Sequence, residues 1–561
     1  MQRQKQQQQQ QQPGAAPGTA DDDPSRIWLP EVVHHFASFL GGNEQACTLR
    51  LVNKATATQF RGPQHTTIRL SQQVPHHAFA WRWGGGGATR GLTVRQRQQL
   101  PCLTARSGSI ANLALLLARD DLTSPLEHRV MVDAVEAGQL EACRWLLQQG
   151  CLWSDGVLDV AAGAGHKEVC EWLLAVGGTF SADPVRYAAA GGHWELCEWL
   201  LAQDCSVEDQ AAIAAARGGY MGLIDWLLER TVRFPNTWDL MEAVASGCNL
   251  PTLQRLHHTY VDTPYAQMSA AGELSDAEEL LGGEQGWVTA AAAGSPTADW
   301  RDKVEWLETR GYPLTDIACR DIAAREDCRE ALEWLQQRGY PFTAGMAHYV
   351  AQNGDADALE FLLAQGVHLD TAPAASYAPR GHDHLATLKL LHARRVCIGH
   401  RNVASAAANG QLPVVAWLVE VLGAATALTA GVYARAARSG SAELLAWLHE
   451  AGCPWDASAF AEAAASGSEE QLEWLVECGC PMGDDGDPYR RALANADLAV
   501  LRCLRQLGCP WGPVGLTFTC AIKACDASTP FSQTQLLLAL AWLVEQGCPV
   551  DCCRAGGRGV G

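Results

Sequence analysis

Residues 191–203 read GGHWELCEWLLAQ, and variants of this stretch recur through most of the chain. The same register appears as AGQLEACRWLLQQG at 137–150, as AGHKEVCEWLLAVG at 164–177 and as SGSAELLAWLHEAG at 439–452. Self-similarity at a fixed period is the sequence signature of a solenoid, in which each unit buries its apolar face only against its neighbours. The pattern predicts an all-α, elongated solenoid of helix pairs.

Each unit can be interpreted as two short helices separated by tight turns. The first helix is rich in alanine, as in residues 187–190 (YAAA), which lets helices of adjacent units approach closely. A glycine such as Gly192 then stops that helix. The second helix carries the WLL motif, and the unit closes with a pattern such as residues 452–455 (GCPW), where proline prevents the helix from continuing.

A tryptophan recurs at one position of the second helix, in phase with the repeat. The first four of these residues are spaced by 27 residues. A side chain in phase with the repeat must face the neighbouring unit, so we expect these indoles to form the core between units. They are Trp145, Trp172, Trp199, Trp226, Trp306, Trp334, Trp417, Trp447, Trp474 and Trp542.

Composition divides the 561 residues into five segments. The poly-Gln and then Pro/Gly/Asp-rich N-terminus cannot bury enough apolar area to offset its ordering entropy. The glycine run at 84–87 has no following Lys-Ser/Thr, so we interpret it as linker and not as a phosphate-binding loop. The predicted segments are a disordered Gln-rich tail (1–25), a small helical module (26–62), a linker (63–91), the repeat array (92–550) and a flexible tail (551–561).

Charge is unevenly distributed along the chain. The net charge is −20, yet residues 26–106 contain ten Lys or Arg and only two acidic residues, so the acidic excess lies in the repeats. Because an acidic array repels phosphate backbones, we expect protein partners and no nucleic acid. A solvated acidic face that serves only solubility also explains this charge.

The 21 cysteines do not suggest disulfides or metal sites. Cys143, Cys170 and Cys197 recur in phase with the repeat, which indicates packing as small apolar side chains, and no CxxC pair occurs.

Reduced thiols, together with the lack of a signal peptide or of an apolar run of membrane-spanning length, lead us to expect a cytoplasmic or nuclear protein without a membrane partner.

No common catalytic motif is present in the sequence. GxxxxGK[ST], HExxH and GxSxG are all absent. We therefore expect no enzymatic activity, no metal and no cofactor, and we expect a monomer.

Residues 27–60 predict a helical hairpin, with Pro30 in the first turn of the first helix. The segment resembles an F-box, the short module that docks on the Skp-type adaptor of cullin-based ubiquitin ligases. Residues 29–33 (LPEVV) match the opening of that module and residues 49–52 (LRLV) match its later helix, while Asn53 and Thr56 depart from its pattern. The resemblance implies an adaptor-binding surface made of Leu29, Pro30, Val32, Val33, Phe36, Leu40, Leu49 and Val52.

The repeat itself resembles the ankyrin repeat. Residues 183–189 (DPVRYAA) follow that family's T-P-L-H-x-A-A pattern, and the Gly-His turn precedes LCEWLL. The units are shortened in the hairpin between repeats, which favours the concave helical face as the contact surface. The two resemblances imply a protein–protein interaction scaffold, serving as the substrate-recognition subunit of a cullin-based (SCF-type) ubiquitin ligase. The alternative is a free-standing ankyrin-repeat adaptor whose N-terminal helices act only as a cap.

Overall fold

The computed structural model of this chain describes residues 29–119, 121–122, 126–153, 156–180, 183–231, 235–263, 277–369, 384–396, 398–527 and 530–550. Throughout these ranges the regular structure is helical, and no strand occurs within them. The all-α solenoid predicted from the repeats is confirmed. The predicted tails, 1–25 and 551–561, lie outside the described residues.

Between residues 29 and 93, which the structure describes, five α-helices precede the repeats. The N-terminal helices are α1 Pro30–Ala37, α2 Gly42–Cys47, α3 Lys54–Gln59, α4 Pro63–Thr66 and α5 His76–Trp83.

Helix pairs follow from residue 94 onward. The first helices of the pairs are α6 Val94–Arg106, α8 His128–Glu136, α10 Val157–Gly163, α12 Pro184–Ala190, α14 Asp209–Arg217, α16 Thr237–Gly247, α18 Ala277–Ala293, α20 Ile317–Ile322, α22 Ala344–Asn353, α25 His400–Ala408, α28 Ala430–Ser439, α30 Ala457–Ser466, α32 Asp487–Ala494 and α34 Leu516–Ala527. The second helices are α7 Ile110–Leu117, α9 Leu140–Gln148, α11 Lys167–Ala175, α13 Trp194–Leu201, α15 Met221–Leu228, α17 Leu250–His257, α19 Trp300–Thr309, α21 Cys328–Gln337, α23 Ala356–Ala364, α24 His384–Ala393, α26 Leu412–Leu422, α29 Ala442–Glu450, α31 Glu469–Glu477, α33 Leu498–Gln506 and α35 Pro530–Glu545. The short helix α27, Ala424–Ala427, extends one connection.

Alanine-rich first helices pack closely on one another along the array, whereas the second helices are farther apart. Ala188, Ala189, Ala215 and Ala216 are fully buried in these contacts. Closer packing on one side bends a stack of units toward that side. The first helices therefore line the inner, concave face, and the second helices form the outer face.

Two Gly-His turns, at residues 165–166 and 192–193, each join their unit to the one before it. His193 Nε2 lies 3.1 Å from the carbonyl oxygen of Gly163 in the preceding unit, and His166 Nε2 lies 3.1 Å from that of Glu136. A Cβ on Gly165 would lie 2.4 Å from the His193 ring, and Gly165 has φ +78°, so only glycine fits there. The histidines are thus structural residues of the turn.

In several units the closing motif supplies an aromatic contact to the next unit. Trp153 packs edge-on against Trp172 with ring centroids 6.4 Å apart, and Phe180 packs in the same way against Trp199. Phe342 contacts Phe361 at 6.2 Å. The apolar residue that follows the closing turn therefore contacts the second helix of the following unit.

Residues 63–91 form a packed segment where a linker was expected. Helix α5 places Phe79 and Trp83 in a core with Leu100 and Leu116 of the first unit. The His76 ring lies 2.8 Å from Asn112 Oδ1, and Arg119 donates to the carbonyl oxygen of Trp83. These apolar and polar contacts fix α5 on α7.

We expect truncation of a fully buried leucine to destabilise the array strongly. Leu173, directly after Trp172, is 0% exposed, so Leu173→Ala should lower the free energy of unfolding by about 2–5 kcal/mol through lost burial and a cavity. Trp81, 86% exposed, provides the control, and Trp81→Ala should change it by less than about 0.5 kcal/mol. Urea unfolding followed by circular dichroism measures both, and equal effects would contradict this packing.

Burial should also protect the repeat cysteines from alkylation. It raises the pKa of Cys143, Cys170 and Cys197 to about 12, and the thiolate is the reactive form. At pH 8 we expect iodoacetamide to modify the half-buried Cys478 and Cys520 well before these three, as read by peptide mass spectrometry. Equal rates in the folded protein would show that the three thiols are accessible.

Candidate protein-binding surfaces

Helix α1 presents an apolar stripe to solvent. Leu29, Phe36 and Phe39 are 48%, 53% and 74% exposed. Phe36 lies in α1, Leu29 is the N-cap of that helix, and Phe39 lies in the turn two residues beyond its end. Val33 and Ala37 face the other way, into a small core with Leu49 and Phe60. We call Leu29, Phe36 and Phe39 the α1 stripe.

Polar contacts hold α1 at both ends. The Gln45 side chain donates to the carbonyl oxygens of Ala37 at 2.6 Å and Leu40 at 3.0 Å, which caps the end of the helix. The Gln59 side chain donates to the carbonyl oxygen of Pro30 at 2.8 Å. Since both ends are anchored, the α1 stripe is a preformed surface.

The structure divides the eight residues that the F-box resemblance implied. Leu29, Pro30, Phe36 and Val52 are exposed, Val32 and Leu40 are partly buried, and Val33 and Leu49 are buried in the core beneath α1. The predicted second helix is interrupted, because Leu49–Leu51 form a 3-10 turn and α3 begins only after the Asn53 N-cap.

Two exposed apolar residues were not among those eight. Phe39 and Leu51 are each 74% exposed. Phe39 follows Phe36 by three residues, so helical spacing alone indicated that it shares the stripe.

The ten in-phase tryptophans lie at the edge of the core between units. Nine are half-buried, and Trp542 is buried. The leucine that follows each tryptophan is fully buried instead, as at Leu146, Leu200 and Leu227. Several indoles are also covered on their outer face by an arginine four residues later, as at Arg338, whose guanidinium lies 4.9 Å from the Trp334 ring centroid.

The array curves so far that α6, its first helix, contacts units that lie about 400 residues later in the chain. The Arg97 side chain, 1% exposed, forms an ion pair with Asp497, which is 0% exposed. Arg97 also donates to the carbonyl oxygens of Leu92 at 2.9 Å and Gly467 at 2.6 Å. We call this contact between α6 and the late units the closure.

A second ion pair lies at the edge of the closure. Arg90 contacts Glu469 at 3.3 Å and also pairs with Glu473. The carbonyl oxygen of Arg90 accepts a hydrogen bond from the Glu469 backbone N–H at 3.0 Å, at the start of α31. Burial raises the pKa of the Glu469 carboxyl, and the charge of Arg90 opposes that effect. Basic residues of the N-terminal segment thus face acidic residues of the repeats.

Glycine at 467 allows α6 to approach this closely. A Cβ on Gly467 would lie 2.3 Å from Val94 Cγ2, and its φ of +87° is one that other residues rarely adopt. Gly440, in the preceding unit, would meet Thr93 Cγ2 at 2.3 Å in the same way. The start of α6 therefore packs against the turns of two successive late units.

The closure borders a cavity of about 860 Å³ on the inner face. Its walls come from α6 and from the first helices of the late units. Charged and amide side chains in its lining are Arg95, Gln98, Arg435, Arg438, Glu462 and Asn495. We call it the closure cavity.

The described ranges contain neither a metal-binding cluster nor a membrane-spanning helix. No group of three or more His, Cys, Asp or Glu side chains there is arranged to hold a metal ion. No helix in those ranges combines the length and the apolar character needed to cross a bilayer.

No protein-family model matches the chain, and no curated protein matches it in sequence. A similar solved structure is the pentatricopeptide repeat protein PPR10 in complex with an 18-nucleotide psaJ RNA element, with 12% identity, a TM-score of 0.22 and coverage of 94% of this chain and 95% of that one. Another is PPR10 from maize, with 12% identity, a TM-score of 0.19 and coverage of 94% and 92%. The likeness is one of helical-repeat fold alone.

One expectation from the sequence is wrong. The acidic charge of the repeats led us to expect no nucleic-acid partner, but the PPR10 structure described above is a helical-repeat protein with RNA bound. Net charge is a property of the whole chain and does not give the local charge of one face. The described charged residues that line the closure cavity are three arginines and one glutamate. Net charge therefore does not exclude nucleic acid.

We expect the buried ion pair to hold the array closed. Arg97→Ala leaves the Asp497 carboxylate buried without its partner, which should cost about 3–5 kcal/mol and release α6 from the late units. Small-angle X-ray scattering should then show a larger radius of gyration than for the wild type. Arg129→Ala, which removes an exposed arginine on α8, should leave that radius unchanged. An unchanged radius for both variants would contradict a closure held by this pair.

Proposed function

We propose that this chain is a protein-recognition scaffold that serves as the substrate-recognition subunit of an SCF-type ubiquitin ligase. In this proposal the α1 stripe docks on a Skp-type adaptor. The inner face of the ankyrin-like array binds the protein to be modified. The proposal assigns no catalytic step to the chain.

The exposure of the α1 stripe is the observation that supports adaptor docking. Three large apolar side chains, one in an anchored helix and one just beyond each of its ends, are each about half or more exposed to water. Contiguous exposed apolar surface of this kind is typical of a protein-binding site. Pro30, at the start of α1, and Val52, after the 3-10 turn, are further exposed apolar residues of the same module.

The alternative proposal, a free-standing adaptor with an N-terminal cap, explains a different part of the same module. Ala46 and Cys47 of α2 and Phe79 of α5 pack with Leu100 and Leu116, so these helices shield the first unit as a cap would. A cap gives no reason for the apolar side chains of α1 to remain in water. The two roles are therefore compatible, and only adaptor docking uses the stripe.

The Gly-His turns support the interpretation of the array as ankyrin-like. The histidine of each turn contacts a backbone carbonyl of the preceding unit, and the first helices then stand side by side along the inner face. Rigid spacing of that kind suits recognition of an extended protein segment, because little conformational entropy is lost on binding.

Removal of the stripe should abolish adaptor binding. We expect the full-length chain to co-purify with a Skp-type adaptor and Phe36→Ala/Phe39→Ala to weaken that binding about 30-fold or more, as loss of about 2 kcal/mol at an interface anchor implies. Trp81→Ala, which removes an exposed aromatic side chain from α5, should bind as the wild type does. Retention of the adaptor by the double variant, or no retention by the wild type, would contradict the proposal.

A further inference from the structure

The closure cavity brings together arginines from opposite ends of the array. Arg95 lies on α6, while Arg435 and Arg438 lie on α28, about 340 residues further along the chain. Gln98 and Asn495 add amide groups to the same lining. The lining is thus complete only when α6 is seated on the late units.

Two of these arginines are available to a ligand. Arg95 and Arg435 are exposed, and neither forms an ion pair with a residue of the described ranges. Arg438 is already engaged, since it lies 3.2 Å from Glu462, and Glu462 also pairs with Arg491 at 2.9 Å. The only carboxylate among the described residues of the lining is therefore neutralised, and the positive charge of Arg95 and Arg435 is left uncompensated in a chain of net charge −20.

We propose that the closure cavity binds an acidic segment of a partner polypeptide. The guanidinium groups of Arg95 and Arg435 pair with two of its carboxylates, since arginine presents donors that match carboxylate geometry. Gln98 and Ser458 offer hydrogen bonds to its backbone amides. The proposal deepens the proposed function, on which it rests, by naming the chemistry of the bound protein segment.

The lining favours a peptide over a single-stranded nucleic acid. Single strands are commonly bound by a basic groove together with aromatic side chains on which bases stack. None of the lining residues that the structure describes has an aromatic side chain. Their serine, threonine and amide groups suit peptide groups instead, and the volume of about 860 Å³ is within the range of sites that enclose small ligands or short segments.

The buried ion pair acts on this site as a positioning contact. Arg97 lies two residues after Arg95 on α6, and its pairing with Asp497 brings the start of α6 next to Asn495. Arg97 itself does not line the cavity. Binding of an acidic segment should in turn favour the closed array, because the ligand contacts both sides of the closure.

Fluorescence anisotropy with the full-length chain tests the proposal. The probes are fluorescein-labelled octaglutamate, octalysine and octauridylate. We expect octaglutamate to bind, octalysine not to bind, and Arg95→Gln/Arg435→Gln to weaken octaglutamate binding at least tenfold. Arg61→Gln/Arg129→Gln removes two exposed arginines that do not line the cavity, so the change in net charge is matched, and its affinity should stay within twofold of the wild type.

Each other outcome overturns the proposal. Absence of octaglutamate binding rejects the site, and equal weakening in both double variants reduces it to a nonspecific charge effect. Tighter binding of octauridylate, lost with Arg95 and Arg435, would assign the cavity to nucleic acid. The adaptor co-purification described above depends on the α1 stripe, so it separates failure of the ligase proposal from failure of this site.

Discussion

The buried ion pair between Arg97 and Asp497 is the contact on which the shape of this molecule depends. Two charges that are almost completely removed from water are tolerated only when each has its partner and its remaining hydrogen bonds. Arg97 has its partner and two further hydrogen bonds, because the carbonyl oxygens of Leu92 and Gly467 accept from the same guanidinium, and only its Nε has no hydrogen-bond partner. An open array would give up these contacts, and the pair thus links the first unit to units that local stacking alone would leave free.

Closure and stacking together determine which surfaces can bind partners. Neighbouring units pack through the alanines of the first helices and the leucines of the second helices. These side chains are therefore buried between units and cannot contact a partner. The α1 stripe is left exposed because α2 and α5, not α1, cover the first unit. The closure cavity lies between the start of α6, which carries Arg95, and the first helices of the late units. One surface is apolar and the other cationic, which suits two different partners.

Repeat periodicity predicted the contacts between neighbours and nothing beyond them. The helix pairs, the glycine turns and the closing prolines all follow from the recurring motif, because the same residue types form the same local structure in each unit. Arg97 carries no such signal, because its partner is 400 residues away and occurs once. Lys303 is similar, being fully buried at an irregular junction where it donates to the carbonyl oxygens of Ala245 and Cys248. The basic segment before residue 107 was visible in the sequence, but its acidic counterpart among the late repeats was not.

A double-mutant cycle on the buried pair tests the closed array most directly. Arg97→Met, Asp497→Leu and the double variant are compared with the wild type by urea unfolding. If the two side chains meet, each single change leaves a buried charge unpaired while the double change removes both, so the coupling energy should be about 2 kcal/mol or more. Effects that simply add, within about 0.5 kcal/mol, would mean that Arg97 and Asp497 do not meet and that the array is not closed by this pair.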